Sequence, residues 1–404
     1  VSRLPWLGPR RAAALADRFG TPFYAYSGKI LRARCRALTR AFPGASMRYA
    51  MKANSNPTLL DLIRREGFGV DTVSPWEVRL AREVGFRKRD ILYSGSMPSD
   101  DDLEAVHREG VAINLDALSS LQRYGKRFPG ARVSLRLNLD IGGGHHPHVI
   151  TAGPESKFGL STDELPEARA LCARHRLSVV GLHQHIGSGL FELGLFLEAL
   201  DALLAHLGDY PELEFVDVGG GFGVPYRDDE APIDLDAWGR AVTERFDAAV
   251  ARYGRPLTLL LEPGRYVVCE AGVLVARVTT VKPTRDRVFV GTDSGMHHLV
   301  RPALYQAWHP VVTWPRRDTS PARCFIVGPI CESGDVLAED RWMPVPQEGD
   351  LVVIGNAGAY GFTMASHYNL RALPAEVLVD GNEWTLLRPR ERYRDVVPRR
   401  ILPE

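Results

Sequence analysis

Lys52 is the one charged residue of "YAMKAN", Tyr49 to Asn54, at the end of a short apolar run. A cation in that place can snorkel to the surface, contact a phosphate, or act as a nucleophile. Reactive residue types recur at the ends of later apolar runs. Asp71 lies in "GVDTV" and Arg136 in "VSLRLN". His183, His185 and Ser188 lie in "HQHIGSG". Gly219 to Gly223 form "GGGFG", and Glu262, Gly264 and Arg265 belong to "EPGR". If these runs are strands of one barrel, every one of these groups faces the same mouth, where barrel enzymes do their chemistry.

The glycines come late in the series, where barrels of this kind bind phosphate through the loops after strands seven and eight. Glycine lets backbone N–H groups approach and aim at phosphate oxygens, and Ser188 adds a hydroxyl donor. "GGGFG" alone is equally a tight turn; beside Glu262 and opposite Lys52 it reads as a phosphate loop. A phosphate ester, a lysine and a carboxylate together point to pyridoxal 5'-phosphate. The lysine would form a Schiff base with the cofactor aldehyde. Glu262 would keep the pyridine nitrogen protonated, so that the ring accepts electrons. His185 is either a ring-stacking group or a core histidine bonded to a carbonyl.

Such residues need elements to position them. From about residue 46, eight short apolar runs alternate with helix-like stretches, the size of a (β/α)8 TIM barrel. "NPTLLDLIRREG" and "SPWEVRLAREVG" open on Asn, Ser and Pro and close on Gly, as helices do. "SDDDLEAVHREG" carries acids in its first turn, where the helix dipole favours them. A doubly wound open sheet is the rival, but its ligand glycines would follow the first strand. After about residue 270, strands separated by turns take over, and "VDGNEW" reads as a hairpin. The expected fold is therefore α/β plus all-β. A TIM barrel over residues 28–270 precedes a C-terminal β-sandwich or β-barrel domain over 271–404, to which residues 1–27, with "TPFYAYSG", also belong.

Composition bounds the function. The 404 residues are 45% hydrophobic and 25% charged, with a formal net charge of +1. Near-zero charge argues against a nucleic-acid or anionic-membrane partner, and no apolar run approaches a membrane span. Cys35, Cys172, Cys269, Cys324 and Cys331 are odd in number and irregularly spaced. That argues against a disulfide framework or a structural zinc and for a cytoplasmic enzyme with free thiols.

Over nearly its whole length the sequence resembles the fold-type III pyridoxal phosphate enzymes, and closely the diaminopimelate decarboxylase family. The resemblance rests on "YAMKANSNPTLL", "GVDTVSPWEVRLA", "GLHQHIGSG", "VDVGGGFGVPY" and "EPGRYVV", which relatives acting on other amino acids share. It rests also on "RPALY", "CESGD" and "GAYGF", which are more diagnostic. By this resemblance Lys52 is the cofactor lysine, His185 the ring-stacking group and Glu262 the partner of the ring nitrogen. Asp71, Arg136, Ser188, Gly220, Gly221, Gly264, Arg265 and Tyr360 are the remaining cofactor contacts. Arg265, Arg301, Tyr305, Glu332 and Tyr360 hold the substrate, and Cys331 is the proton donor. The resemblance also implies a homodimer, with "CESGD" of one subunit reaching into the barrel of the other.

The implied reaction converts meso-2,6-diaminopimelate to L-lysine and carbon dioxide. The distal carboxylate of that substrate suits an arginine fork, whereas arginines would repel a lone terminal ammonium. Arg265 and Arg301 therefore favour a substrate with a distal carboxylate. Gly189, His367 and the cluster His145, His146 and His148 depart from the family pattern. They keep open a related decarboxylase acting on another amino acid, as in siderophore or antibiotic synthesis. No metal is expected, despite the three clustered histidines.

Overall fold

The computed structural model describes residues 5–143, 151–153 and 156–397. Two compact units emerge. One comprises Arg32–Val224 and Pro232–Val267; the other comprises Val1–Leu31, Pro225–Ala231 and Val268–Glu404. Among the described residues, no helix is long and apolar enough to cross a membrane.

The first unit is the expected barrel. Its eight parallel strands are Ser46–Ala50, Gly69–Thr72, Ile91–Tyr93, Ala112–Leu115, Arg132–Asn138, Ser178–His183, Phe215–Asp217 and Thr258–Leu261. Each pairs with the next, and the eighth returns to the first through Leu260 opposite Ser46. Most are nearly continuous buried runs, as parallel strands covered on both faces must be. The intervening helices start and stop as their sequences dictate. Directly after Lys52, Asn56 caps Pro57–Arg65 by accepting from the Thr58 N–H. Ser74 caps Pro75–Val84, which ends on left-handed Gly85, and Ser99 with Asp102 forms a capping box on Asp100–Glu109.

Behind the seventh strand, Phe222 is buried among Phe42, Phe196 and Trp238, with ring centroids 5.6–5.9 Å away. The phenylalanine of "GGGFG" thus anchors the glycine turn to the apolar layer between barrel and helices.

The second unit is a nine-stranded mixed sheet. Its longest strand, Gly272–Pro283, pairs with Phe23–Ser27, Val288–Thr292 and Leu351–Ile354. The segment Phe23–Ser27, from "TPFYAYSG", lies between that strand and Ala375–Asp380. "VDGNEW" is a hairpin, with Asp380 opposite Glu383. Leu7, Leu15, Phe23, Val275, Val353 and Val377 form its apolar core. Residues 225–231, which fall within the expected barrel span, cluster with this unit. Asn356 donates to the Pro225 carbonyl at 3.0 Å, and the Tyr226 hydroxyl lies 3.0 Å from Cys269 Sγ.

Candidate active site

In the barrel unit the strand ends bring together most of the residues singled out above. Lys52 follows the first strand in a short 3-10 turn, Met51–Ala53. Its Nζ donates to Asp71 Oδ2 at 3.0 Å, from the end of the second strand. Asp71 is fully buried, and its Oδ1 has no hydrogen-bond partner among the described residues. Arg136, on the fifth strand, is 7% exposed and stacks on Phe158 at 4.7 Å.

The sixth strand ends at His183, whose Nε2 lies 3.2 Å from Glu262 Oε2 beyond the eighth strand. Glu262 Oε1 is buried without a partner among the described residues. Asp217, ending the seventh strand, accepts the Gly219 N–H at 2.8 Å. One polar atom each of His183, Asp217 and Glu262 lies within 4.8 Å of the other two.

Three buried carboxylates so close cannot all ionise alike. Burial pushes Asp71 up, and repulsion from Glu262 adds to it, against the pull of Lys52. Burial and Glu262 raise Asp217 well above the usual range. Burial acts on Glu262 too, but His183 and Lys52 outweigh it and hold that carboxyl low. Of the three carboxyls, Glu262 is the one held below its ordinary range.

His185 accepts the Gly220 N–H on Nδ1 at 3.2 Å. Burial, then Lys52 and Arg136, push its pKa well below the ordinary value, so the ring is neutral with its hydrogen on Nε2. The turn itself demands glycine. A Cβ on Gly220 would collide with the Glu262 carbonyl, and Gly221 has φ +101° with the Gly187 carbonyl 2.7 Å from where its Cβ would stand. Arg265 donates to Ser188 Oγ from both Nε and Nη2, 3.1 Å each. Gly264 packs on Ala50 and Ala53, tying "EPGR" to the turn that carries Lys52.

The sheet unit holds the other expected residues. Arg301 is 2% exposed, and its Nη1 donates to the Tyr226 hydroxyl and to His309 Nε2, both at 3.0 Å. Tyr305 is half-buried on the same short helix, Arg301–Tyr305. Cys331 and Glu332 are exposed in a loop. The Cys331 N–H donates to Asn369 Oδ1 at 2.8 Å, and buried Asp335 accepts the Ile330 N–H at 2.7 Å and the Met296 N–H at 2.5 Å. Tyr360 is half-buried with φ 55°. His367 bonds Glu391 at 2.7 Å. His145, His146 and His148 lie outside the described residues.

Comparison with known proteins gives the family of the chain. Residues 28–269 match the pyridoxal binding domain of the pyridoxal-dependent decarboxylases. The chain is 40% identical to the diaminopimelate decarboxylase of Methanothermobacter thermautotrophicus, over 98% of this chain and 96% of that one. It is 41% identical to the Pseudomonas aeruginosa diaminopimelate decarboxylase, over 95% and 93%. The crystal structure of the M. jannaschii enzyme in complex with L-lysine superposes with a TM-score of 0.89 at 30% identity, covering 97% of this chain and 94% of that one. The chain belongs to the diaminopimelate decarboxylase family.

The barrel groups fit the cofactor of these decarboxylases. A buried carboxylate oxygen without a partner, Glu262 Oε1, matches a protonated ring nitrogen. A neutral half-buried imidazole matches a ring face. A turn that admits no Cβ, beside a serine hydroxyl, matches a phosphate. A lysine held by a carboxylate matches the aldehyde.

Three residues, His183, Asp217 and Asp335, carry no signal in the sequence that would give them a role. His183 was visible at a strand end, but its bond to Glu262 was not. Asp217 lies within the quoted "VDVGGG", yet nothing local marks it as buried. Asp335 closes the "CESGD" motif, and only the fold shows that it accepts two backbone amides.

Proposed function

We propose that this member of the family removes carbon dioxide from the D-configured centre of meso-2,6-diaminopimelate and releases L-lysine. The observation that carries this reading is near-full-length identity of about 40% to curated diaminopimelate decarboxylases, together with the buried arginine at Arg301. Pyridoxal 5'-phosphate, when bound, supplies a ring that accepts the electron pair left by the departing carboxylate.

The residues around it divide the work. Lys52 supplies the amine that holds the cofactor, and Asp71 fixes that amine through one hydrogen bond. Glu262, held ionised, keeps the ring nitrogen protonated. His185, being neutral, lies against the ring without opposing its positive charge. The Gly219–Gly221 turn and Ser188 hold the phosphate, with Arg265 orienting the serine hydroxyl, while Arg136 and Tyr360 complete the cofactor contacts. At the distal end of the substrate, Arg265 and Arg301 meet the carboxylate, Glu332 the ammonium, and Tyr305 adds a hydroxyl. Cys331 delivers the proton to the α-carbon from its thiol. That requires an unionised sulfur at the moment of transfer, as general-acid catalysis demands.

The same reading makes the enzyme a homodimer in which the loop bearing Cys331 and Glu332 serves the partner's barrel. Exposure of that loop supports it, as does exposed apolar surface on the sheet unit at Trp342 and Leu304.

The deciding assay offers purified, cofactor-loaded protein a panel of amino acids and measures carbon dioxide and lysine. Turnover of meso-diaminopimelate above ornithine, arginine and lysine is expected. Turnover of another compound with none of meso-diaminopimelate would refute the substrate. Subunit exchange between inactive Lys52→Ala and Cys331→Ala chains tests the sharing of sites. One intact site per mixed dimer restores about a quarter of wild-type activity if sites are shared in a C2 dimer. In an unshared arrangement none returns.

A further inference from the structure

We propose that His183 is a positioning residue for the cofactor ring: it donates its Nε2 hydrogen to Glu262 Oε2 and thereby leaves Oε1 as the oxygen that meets the pyridine nitrogen. This rests on the assignment of Glu262 to the ring nitrogen.

Three observations carry it. His183 is completely buried, and its Nε2 lies 3.2 Å from Glu262 Oε2. Glu262 Oε1 has no partner among the described residues, so the two oxygens are not equivalent. The histidine is also the neighbour that best opposes the local crowding of acids. His183 leads the influences that favour charge on Glu262 against burial, ahead of Lys52, which is already bonded to Asp71. Without the donor on the sixth strand, burial would push the Glu262 carboxylate toward its protonated form. A neutral carboxylic acid cannot hold the ring nitrogen protonated.

Geometry fixes which substitution can replace the histidine. The bond is made by Nε2, the ring atom far from the backbone. A glutamine amide nitrogen reaches about as far from Cα, whereas an asparagine amide stops near the position of Nδ1. Gln is therefore the replacement that keeps the donor, and Asn is a polar control that loses it.

The test uses the holoenzyme loaded with pyridoxal phosphate carrying 15N in its ring, so that the nitrogen resonance reports protonation directly. In the wild type it is expected at the pyridinium position. In Glu262→Gln, His183→Asn and His183→Leu it moves toward the unprotonated position, while in His183→Gln it stays. Turnover follows, falling about 10–100-fold in the Asn and Leu variants, the usual cost of removing a group that orients a contact residue.

If Glu262→Gln moves the resonance but His183→Leu does not, His183 has no such role and the Glu262 assignment stands. If Glu262→Gln leaves the resonance unmoved, the Glu262 assignment fails and this inference with it. Should His183→Leu not fold, the Gln and Asn pair decides: equal resonance positions in the two overturn the inference.

Discussion

The carboxylate of Asp335 provides a sharp test of how the sheet unit places its chemistry. It is 3% exposed and accepts two backbone amides, from Met296 and Ile330. Ile330 immediately precedes Cys331. Gly295 and Gly328 press so closely on the carboxylate that a Cβ on either would collide with it. Replacing Asp335 with Ala strands two N–H groups, that of Ile330 buried and that of Met296 partly buried. Each costs about 1–3 kcal/mol when left without an acceptor. Burial raises the Asp335 carboxyl against the pull of those amides, so part of the gain is already consumed by desolvation. A net loss of about 3 kcal/mol is the reasonable figure, near the lower end of the roughly 2–6 kcal/mol that two such groups allow.

That loss is local, because Asp335 closes one loop on the sheet rather than filling the core. A loss of about 3 kcal/mol raises the open population of the loop about 100-fold. Hydrogen exchange read by mass spectrometry is the suitable assay, since a two-unit chain has no single unfolding free energy. Peptides covering Met296 and Ile330 to Asp335 should exchange about 100-fold faster in Asp335→Ala, with barrel peptides unchanged. Turnover should fall at least tenfold as Cys331 loses its anchor. Asp335→Asn keeps one acceptor oxygen and should fall between the two. Exchange within threefold of wild type would show that the carboxylate does not hold the loop. Faster exchange with unchanged turnover would remove Cys331 from the chemistry.

Three further outcomes are expected. Lys52→Ala abolishes turnover, and borohydride reduction followed by peptide mass analysis no longer attaches the cofactor mass found on the Lys52 peptide of the wild type; attachment at that peptide would refute the assignment. Cys331→Ser lowers turnover while leaving hydrogen exchange of the sheet unit within about twofold of wild type, because the side chain is exposed; an unchanged rate would dismiss it as donor. His298 is buried and held neutral, with Nε2 donating to the Ala372 carbonyl and Nδ1 facing Ser294. Burial lowers its pKa to about 3. A base depressed on folding contributes stability that is intact above its unfolded pKa of about 6.5 and lost as pH falls toward the folded value. At pH 5.5 the loss is about 1.4 kcal/mol. Hydrogen exchange of the peptides around His298, corrected for the intrinsic pH dependence, should show about tenfold more opening at pH 5.5 than at pH 7.5 in the wild type and a smaller change in His298→Gln; equal changes would refute it.

What could be read from the chain and what could not follows from the range of the contacts. Lys52, Asp71, Arg136, His185, Glu262 and the Gly219–Gly221 turn were legible because each ends, carries or follows a recognisable strand, and a barrel delivers all strand ends to one face. The barrel strands themselves were legible because burial on both faces leaves short apolar runs between capped helices. The partners of those residues were not legible. His183 and Glu262 are 79 positions apart, and Cys331 and Asn369 are 38 apart. Neither pair has a periodicity or a cap to announce it. The assignment of residues 225–231 to the sheet unit was hidden for the same reason, since Asn356 holds Pro225 across 131 positions. A sequence thus displays the groups proposed to touch the cofactor before it displays the groups proposed to aim them. Aiming is done by single hydrogen bonds between distant segments, and their existence depends on register and twist. His183 and Asp335 are of this second kind. If their removal leaves the ring nitrogen and the Cys331 loop undisturbed, the precision of the site must come from the strand ends alone.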